Sequence, residues 1–148
     1  IIHRDLELDV LHLEGGGAAG GMGAGLYAFC GAKLRPGIEI VTDALHLADI
    51  VADADLVITG EGRIDSQTVH GKVPVGVARV AKRYNLPVIG IAGSLTADVG
   101  VVHQHGLDAV FSVIYSVCTL EQALENAAEN VRMTARNVAA VLKMGRLL

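Results

Sequence analysis

Residues 59–72, TGEGRIDSQTVHGK, crowd the carboxylates Glu61 and Asp65, the cations Arg63 and Lys72, and the small polar side chains Ser66, Gln67 and Thr68 into one short span. Glycines at Gly60 and Gly62 flank Glu61, so its carboxylate can be presented on a tight, unusual backbone. Glu61 and Asp65 can hold Mg²⁺, usually through water, or accept a proton from a substrate hydroxyl. Arg63 and Lys72 can neutralise a carboxylate or the charge spread over a transferring phosphoryl group. The competing use is a solvated loop with an internal Arg–carboxylate pair. Polar loops that follow a buried strand are more often sites than spacers. Gly71 and Lys72 are followed by Val73, where a P-loop needs Ser or Thr. Any phosphoryl transfer here therefore works without that loop.

A second segment, residues 14–26 (EGGGAAGGMGAGL), fits G-x-G-x-x-G with Gly15, Gly17 and Gly20. Three uses stay open: close packing of a helix, contact with substrate or phosphate, or a dinucleotide site with Asp43 as ribose acceptor. The histidines show no zinc spacing; His103 and His105 read as surface residues, and His70 gains interest only from its neighbours. Residues 93–96 (GSLT) follow a strand and can cap the next helix or touch phosphate, capping being the commoner use.

The elements that must position these residues alternate. Residues 55–59 (DLVIT), 88–92 (VIGIA) and 109–114 (AVFSVI) read as buried strands, and residues 8–13 and 38–41 as shorter ones. Helices are expected over 20–34, 44–53, from Pro74 to Tyr84, over 98–105, and along 119–144. The last has Thr119 and Gln122 as a capping box. Such alternation predicts an α/β fold with a mostly parallel sheet, flanking helices and ligands at the C-terminal ends of the strands. A change of organisation at residues 45–53 is the expected domain boundary.

The composition fits a packed protein. At 148 residues, with 51% apolar and 19% charged residues, the chain can build a core. Aromatic residues make up only 3%, so Val, Ile, Leu and Ala must fill that core. The net charge of −4, without clustered Lys and Arg, disfavours nucleic acid as a partner. No apolar run approaches the roughly 20 residues of a membrane span. Cys30 and Cys118 lack a CxxC pattern and are expected as buried free thiols, which points to a reducing cytoplasm. The chain opens on Ile1, and residues 1–5 read as the tail of a helix, as though this were a piece of a longer protein.

Taken together, residues 15–26 (GGGAAGGMGAGL), 35–39 (RPGIE), 54–68 (ADLVITGEGRIDSQT), 71–78 (GKVPVGVA) and 88–94 (VIGIAGS) resemble, in order and spacing, the bacterial glycerate kinases that yield 2-phosphoglycerate. The resemblance covers essentially the whole chain. It implies ATP-dependent, Mg²⁺-assisted phosphorylation of D-glycerate in a cleft between two α/β domains, one inserted into the other. Residues 1–48 would then be the end of the inserted glycine-rich domain. Residues 49–148 would be the C-terminal half of a Rossmann-like domain. By position, Asp65 and Glu61 become the catalytic carboxylates, and both are candidate Mg²⁺ ligands. Gly60, Gly62, Arg63, Ser66 and Lys72, with Gly15, Gly17 and Gly20, become the substrate- and phosphate-binding set.

The chain departs from that family in length. Members are far longer and begin with a strand and a DSFKGS-like segment, to which nothing here corresponds. The expected partner is therefore the missing N-terminal part of the same protein, and the chain alone is expected to be inactive with exposed strand edges. The competing readings are a dinucleotide-binding α/β protein using Gly15–Gly20, and a non-catalytic module that binds an anion or a partner chain.

Overall fold

The computed structural model describes residues 1–145, which divide into two compact units, Ile1–Val41 and a second that begins at Thr42. In the first unit, α1 (Ile2–Leu6) ends at Glu7, whose backbone is left-handed with φ 53°. Residues 8–13, expected as a strand, form successive turns instead. The Asp9 carboxylate accepts from the Leu11 amide at 2.9 Å, and the Gly16 amide donates to the Leu13 carbonyl at 2.9 Å. Local turn chemistry thus takes the hydrogen bonds that a strand would need from a neighbour.

Helix α2 (Ala18–Cys30) begins irregularly, with Ala19, Gly20 and Gly21 all at positive φ. It ends at Gly31, whose amide bonds the Tyr27 carbonyl while the Ala32 amide bonds that of Leu26, the closing pair of a left-handed cap. Residues 38–41, expected as a strand, lie in α3 (Gly37–Ala44). The Pro36 carbonyl accepts from the Glu39 and Ile40 amides, and Arg35 pairs with Glu39 one turn on at 4.0 Å. A short apolar run does not by itself distinguish strand from helix, and here Pro36 starts a helix.

The second unit carries α4 (Leu47–Val51), β1 (Val57–Ile64), α5 (Val73–Lys82), β2 (Val88–Leu95), β3 (Ala109–Ser112), α6 (Leu120–Glu125) and α7 (Ala127–Gly145). The strands form an all-parallel sheet in the order β1–β2–β3. α5 makes the crossover from β1 to β2, starts with Pro74 in its first turn, and ends at Lys82, ahead of the left-handed Asn85 and Pro87. Fully buried Ile64, Val75, Ala78, Ala81, Val88 and Leu107 knit α5 to the sheet, so the core is aliphatic, as the composition requires.

The long C-terminal helix is broken. The capping box of Thr119 and Gln122 forms as expected, but the Asn126 side chain bonds the Gln122 carbonyl at 2.8 Å and separates α6 from α7. Both thiols, expected to be buried, are exposed. Cys30 sits at the end of α2 and Cys118 just before α6, where neither is covered by a neighbouring layer. Among the described residues, no helix is long and apolar enough to cross a membrane.

Candidate functional site

The polar segment is only partly a loop. β1 does not stop at Thr59 but continues through Gly60, Glu61, Gly62 and Arg63 to Ile64, with Glu61 beside Ala92 and Arg63 beside Ser94 on β2. Glycine permits this. A Cβ on Gly60 would lie 2.5 Å from the Ile91 carbonyl oxygen, and one on Gly93 equally close to that of Gly62. The strands can approach so tightly only because these positions lack side chains. Gly62 itself has open space around its Cα.

The period of two along β1 puts Glu61 and Arg63 on one face. At the strand's end Asp65 caps a 3-10 turn, Ser66–Val69. Its Oδ1 accepts from the Gln67 amide at 3.0 Å, while its own amide donates to Oγ1 of the fully buried Thr68 at 3.1 Å. This reciprocal pair pins the carboxylate to the turn. Lys72, at the N-cap of α5, brings Nζ to 3.5 Å from Asp65 Oδ1 and 3.8 Å from Glu61 Oε1. Arg63 Nε lies 3.1 Å from Asp65 Oδ2. Two carboxylates and two cations therefore alternate as Glu61–Lys72–Asp65–Arg63, with Asp65 the least exposed of the four at 13%.

One atom in the group is unsatisfied. Glu61 Oε2 is shielded from solvent and has no hydrogen-bond partner among the described residues. Glu61, Gly60 and Gly62 line a cleft of about 660 Å³ together with Gly93 and Ser94 of β2. Its opposite wall is apolar, formed by side chains of α6 and α7 that include Leu120, Leu124 and Val131. Among the described residues, no trio of His, Cys, Asp or Glu side chains converges as a ready metal cage.

Of the sequence-predicted residues, the structure gathers Gly60, Glu61, Gly62, Arg63, Asp65, Ser66 and Lys72 around the C-terminal end of β1. Gly15, Gly17 and Gly20 lie in the other compact unit. There Gly15 lines a hollow of about 350 Å³ with Lys33 and Arg35, and Gly17 and Gly20 have open space around them. Gly23, by contrast, is a packing glycine, since a Cβ would lie 2.6 Å from the Gly15 carbonyl oxygen. The dinucleotide reading loses its basis. No strand precedes the glycines, and Asp43 lies in helix α3 rather than at a strand end. His70 is an exposed residue closing the 3-10 turn.

Sequence reasoning missed Asp98. From the segment after β2, its carboxylate accepts from the Thr96 hydroxyl, and the Ser66 and Thr96 side chains beside it hold the Asp98 carboxyl below the usual carboxylate range. The available signal was the Thr96–Asp98 pair, read only as a helix start.

The glycerate kinase family's sequence profile matches residues 1–143. Over 98% of its length the chain is 62% identical to the Escherichia coli K12 protein called glycerate 2-kinase, of which it covers 38%. It is 56% identical to the glycerate kinase of Bacillus subtilis 168 over 91% of its length, covering 35% of that protein. A crystal structure from Salmonella typhimurium LT2, assigned as glycerate kinase 2, superposes with a TM-score of 0.75 at 78% identity. It covers 99% of this chain and 37% of that one. The chain thus spans somewhat more than a third of the length of these relatives, and it belongs to the glycerate kinase family.

Proposed function

We propose that the chain is the C-terminal portion of a glycerate 2-kinase that transfers the γ-phosphoryl group of ATP to the 2-hydroxyl of D-glycerate. In this reaction the hydroxyl oxygen forms a bond to the γ-phosphorus, the bond from that phosphorus to the β,γ-bridging oxygen breaks, and ADP leaves. The hydroxyl proton passes to a carboxylate. The observation that carries the reading is the Glu61–Lys72–Asp65–Arg63 quartet at the ligand edge of a parallel sheet.

Asp65, fixed by its turn, orients the hydroxyl and takes the proton. Arg63 and Lys72 hold the substrate carboxylate or the phosphoryl oxygens. Gly60 and Gly62 let the substrate approach the backbone, and Ser66, at the start of the turn, contacts substrate or phosphate. In the other unit, Gly15, Gly17 and Gly20, with Lys33 and Arg35 near the first, offer contacts for a phosphate or carboxylate.

The donor set fits a lightly held Mg²⁺. Glu61 has a shielded oxygen without a partner among the described residues, Lys72 links its other oxygen to Asp65, and Mg²⁺ prefers one or two carboxylates plus substrate phosphates to a full protein cage. Glu61 and Asp65 would hold it. When bound it offsets the charge on the ATP phosphates.

Residues 1–48 and 49–148 would belong to two domains of that kinase, the second completed by the N-terminal part. The apolar wall of the cleft and the half-exposed Ile58 on the free edge of β1 suit such a partner. Its place of work would be the cytoplasm, where ATP is supplied. The test joins this chain to the N-terminal part and assays ATP-dependent formation of 2-phosphoglycerate. Activity is expected only in the joined protein, and Asp65→Asn should lower it about a hundredfold or more. An Asp65→Asn protein with full activity would instead favour a non-catalytic anion- or partner-binding module.

A further inference from the structure

We propose that Thr68 is a positioning residue for Asp65: its buried hydroxyl fixes the carboxylate oxygen Oδ1 in the turn, so that Oδ2 is the oxygen that takes the substrate's hydroxyl proton. The proposal rests on the kinase reading in taking Asp65 as the carboxylate that meets substrate.

The two oxygens of Asp65 are held unequally. Oδ1 accepts from the Gln67 amide at 3.0 Å, and the Thr68 hydroxyl and Lys72 Nζ stand beside it at 3.4 and 3.5 Å. Among the described residues, the partner of Oδ2 is Arg63, whose Nε lies 3.1 Å away on a side chain that is 62% exposed. A long, exposed side chain gives up such a pair to an incoming anion at little cost. Oδ1, held from three sides, has no such exchange open to it.

Thr68 ties both parts of Asp65 with one atom. Its Oγ1 accepts from the Asp65 amide at 3.1 Å and donates to Oδ1 over the longer 3.4 Å, so backbone and side chain are fixed together. A capping box more often has Glu or Gln in this place. A glutamate there would accept from the amide but repel the Asp65 carboxylate, whereas a hydroxyl serves both. Thr68 is fully buried and β-branched, which restricts rotation about χ1. Its turn is seated against α5 and the 3-10 segment Val99–His105. The hydroxyl therefore stays in place while Arg63 turns to substrate.

The experiment uses the complete kinase with Thr68→Val and Thr68→Ser, read by steady-state kinetics, thermal unfolding and amide hydrogen exchange. Valine keeps the shape and removes the hydroxyl; serine keeps the hydroxyl and removes a buried methyl. Both should lower the unfolding temperature by about 2–8 °C, the first by stripping the Asp65 amide of its acceptor, the second by leaving a small cavity. Thr68→Val alone should lower kcat about tenfold or more, with the KM for D-glycerate within about twofold, because small misplacements of a reacting group cost rate. Exchange at the Asp65 amide should quicken in Thr68→Val and not in Thr68→Ser. If Thr68→Val does not fold, Thr68→Ala set against Thr68→Ser makes the same comparison, since those two differ by the hydroxyl. A kcat that falls equally with and without the hydroxyl makes Thr68 a packing residue and overturns the proposal, as does an unchanged kcat in Thr68→Val. If the wild-type protein does not phosphorylate glycerate at all, the kinase reading fails by itself. Exchange at the Asp65 amide then still decides whether the Thr68 hydroxyl holds that residue.

Discussion

Gly60 and Ile91 face each other so closely that a Cβ on Gly60 would lie 2.5 Å from the Ile91 carbonyl oxygen. That contact is with backbone, which cannot swing aside as a side chain does. Gly60→Ala must therefore part β1 from β2 just where Glu61 is presented, and Gly93→Ala must do the same against the Gly62 carbonyl. Each should destabilise the protein by about 1–3 kcal/mol in urea unfolding. Gly62→Ala meets open space and should stay within about 0.5 kcal/mol. If Gly62→Ala nonetheless lowers kcat, the space around Gly62 is reserved for ligand. Equal destabilisation by all three would contradict this account of the ladder.

Lys72 is the one cation within reach of both carboxylates in the quartet. Lys72→Met should lower kcat in the complete kinase about a hundredfold, while Lys72→Arg should retain part of the rate. Stability should barely move, because the pairs are partly exposed. Parallel kinetics and thermal unfolding would separate the two effects. A large loss of stability with little loss of rate would make Lys72 a structural tie.

Much of this arrangement is legible in the sequence because glycine, proline and capping residues punctuate it. Pro74, Asn85 and Pro87 bracket α5, and Thr119 with Gln122 announces α6. What escapes is set by distant or competing contacts. Residues 60–64 look like a loop until Gly93 is seen to admit them to the ladder. Residues 38–41 look like a strand until Pro36 is seen to start a helix. The exposure of Cys30 and Cys118 depends on which layers cover them, which spacing along the chain does not encode. The packing of the Ser66–Val69 turn against the 3-10 segment Val99–His105 is found only once the register of Arg63 with Ser94 brings the two together.

Acid should weaken the start of β2. The Asp108 carboxylate bonds Lys82 Nζ and the Val88 amide, each at 2.6 Å, and Lys82, followed by Val88, holds its carboxyl below the ordinary range. A depressed folded-state value stabilises the protein above the unfolded value, near pH 4, and that gain is lost as pH falls through the folded value. The side chain is half exposed, so screening limits the contribution to about 1 kcal/mol. Asp108→Asn should therefore cost stability at pH 7 and almost none at pH 2. Urea unfolding at both values measures it; a difference that persists in acid would assign the effect to packing.

The unpartnered oxygen of Glu61 makes a separate prediction about magnesium. Glu61 Oε1 faces Lys72, while Oε2 is shielded and bonded to nothing among the described residues. Such an oxygen costs folding energy unless a cation or donor arrives with substrate. If that cation is Mg²⁺, Glu61→Gln should raise the Mg²⁺ concentration for half-maximal rate about tenfold, with the KM for D-glycerate little changed. The same substitution removes charge beside the unpartnered oxygen and gives up only the long, partly exposed contact with Lys72, so the unfolding temperature should hold or rise. Rate measured against free Mg²⁺ above saturating ATP, with Mn²⁺ binding followed by paramagnetic resonance as a direct check, reads both. An unchanged metal dependence alongside a raised KM for glycerate would give the oxygen to a substrate hydroxyl instead.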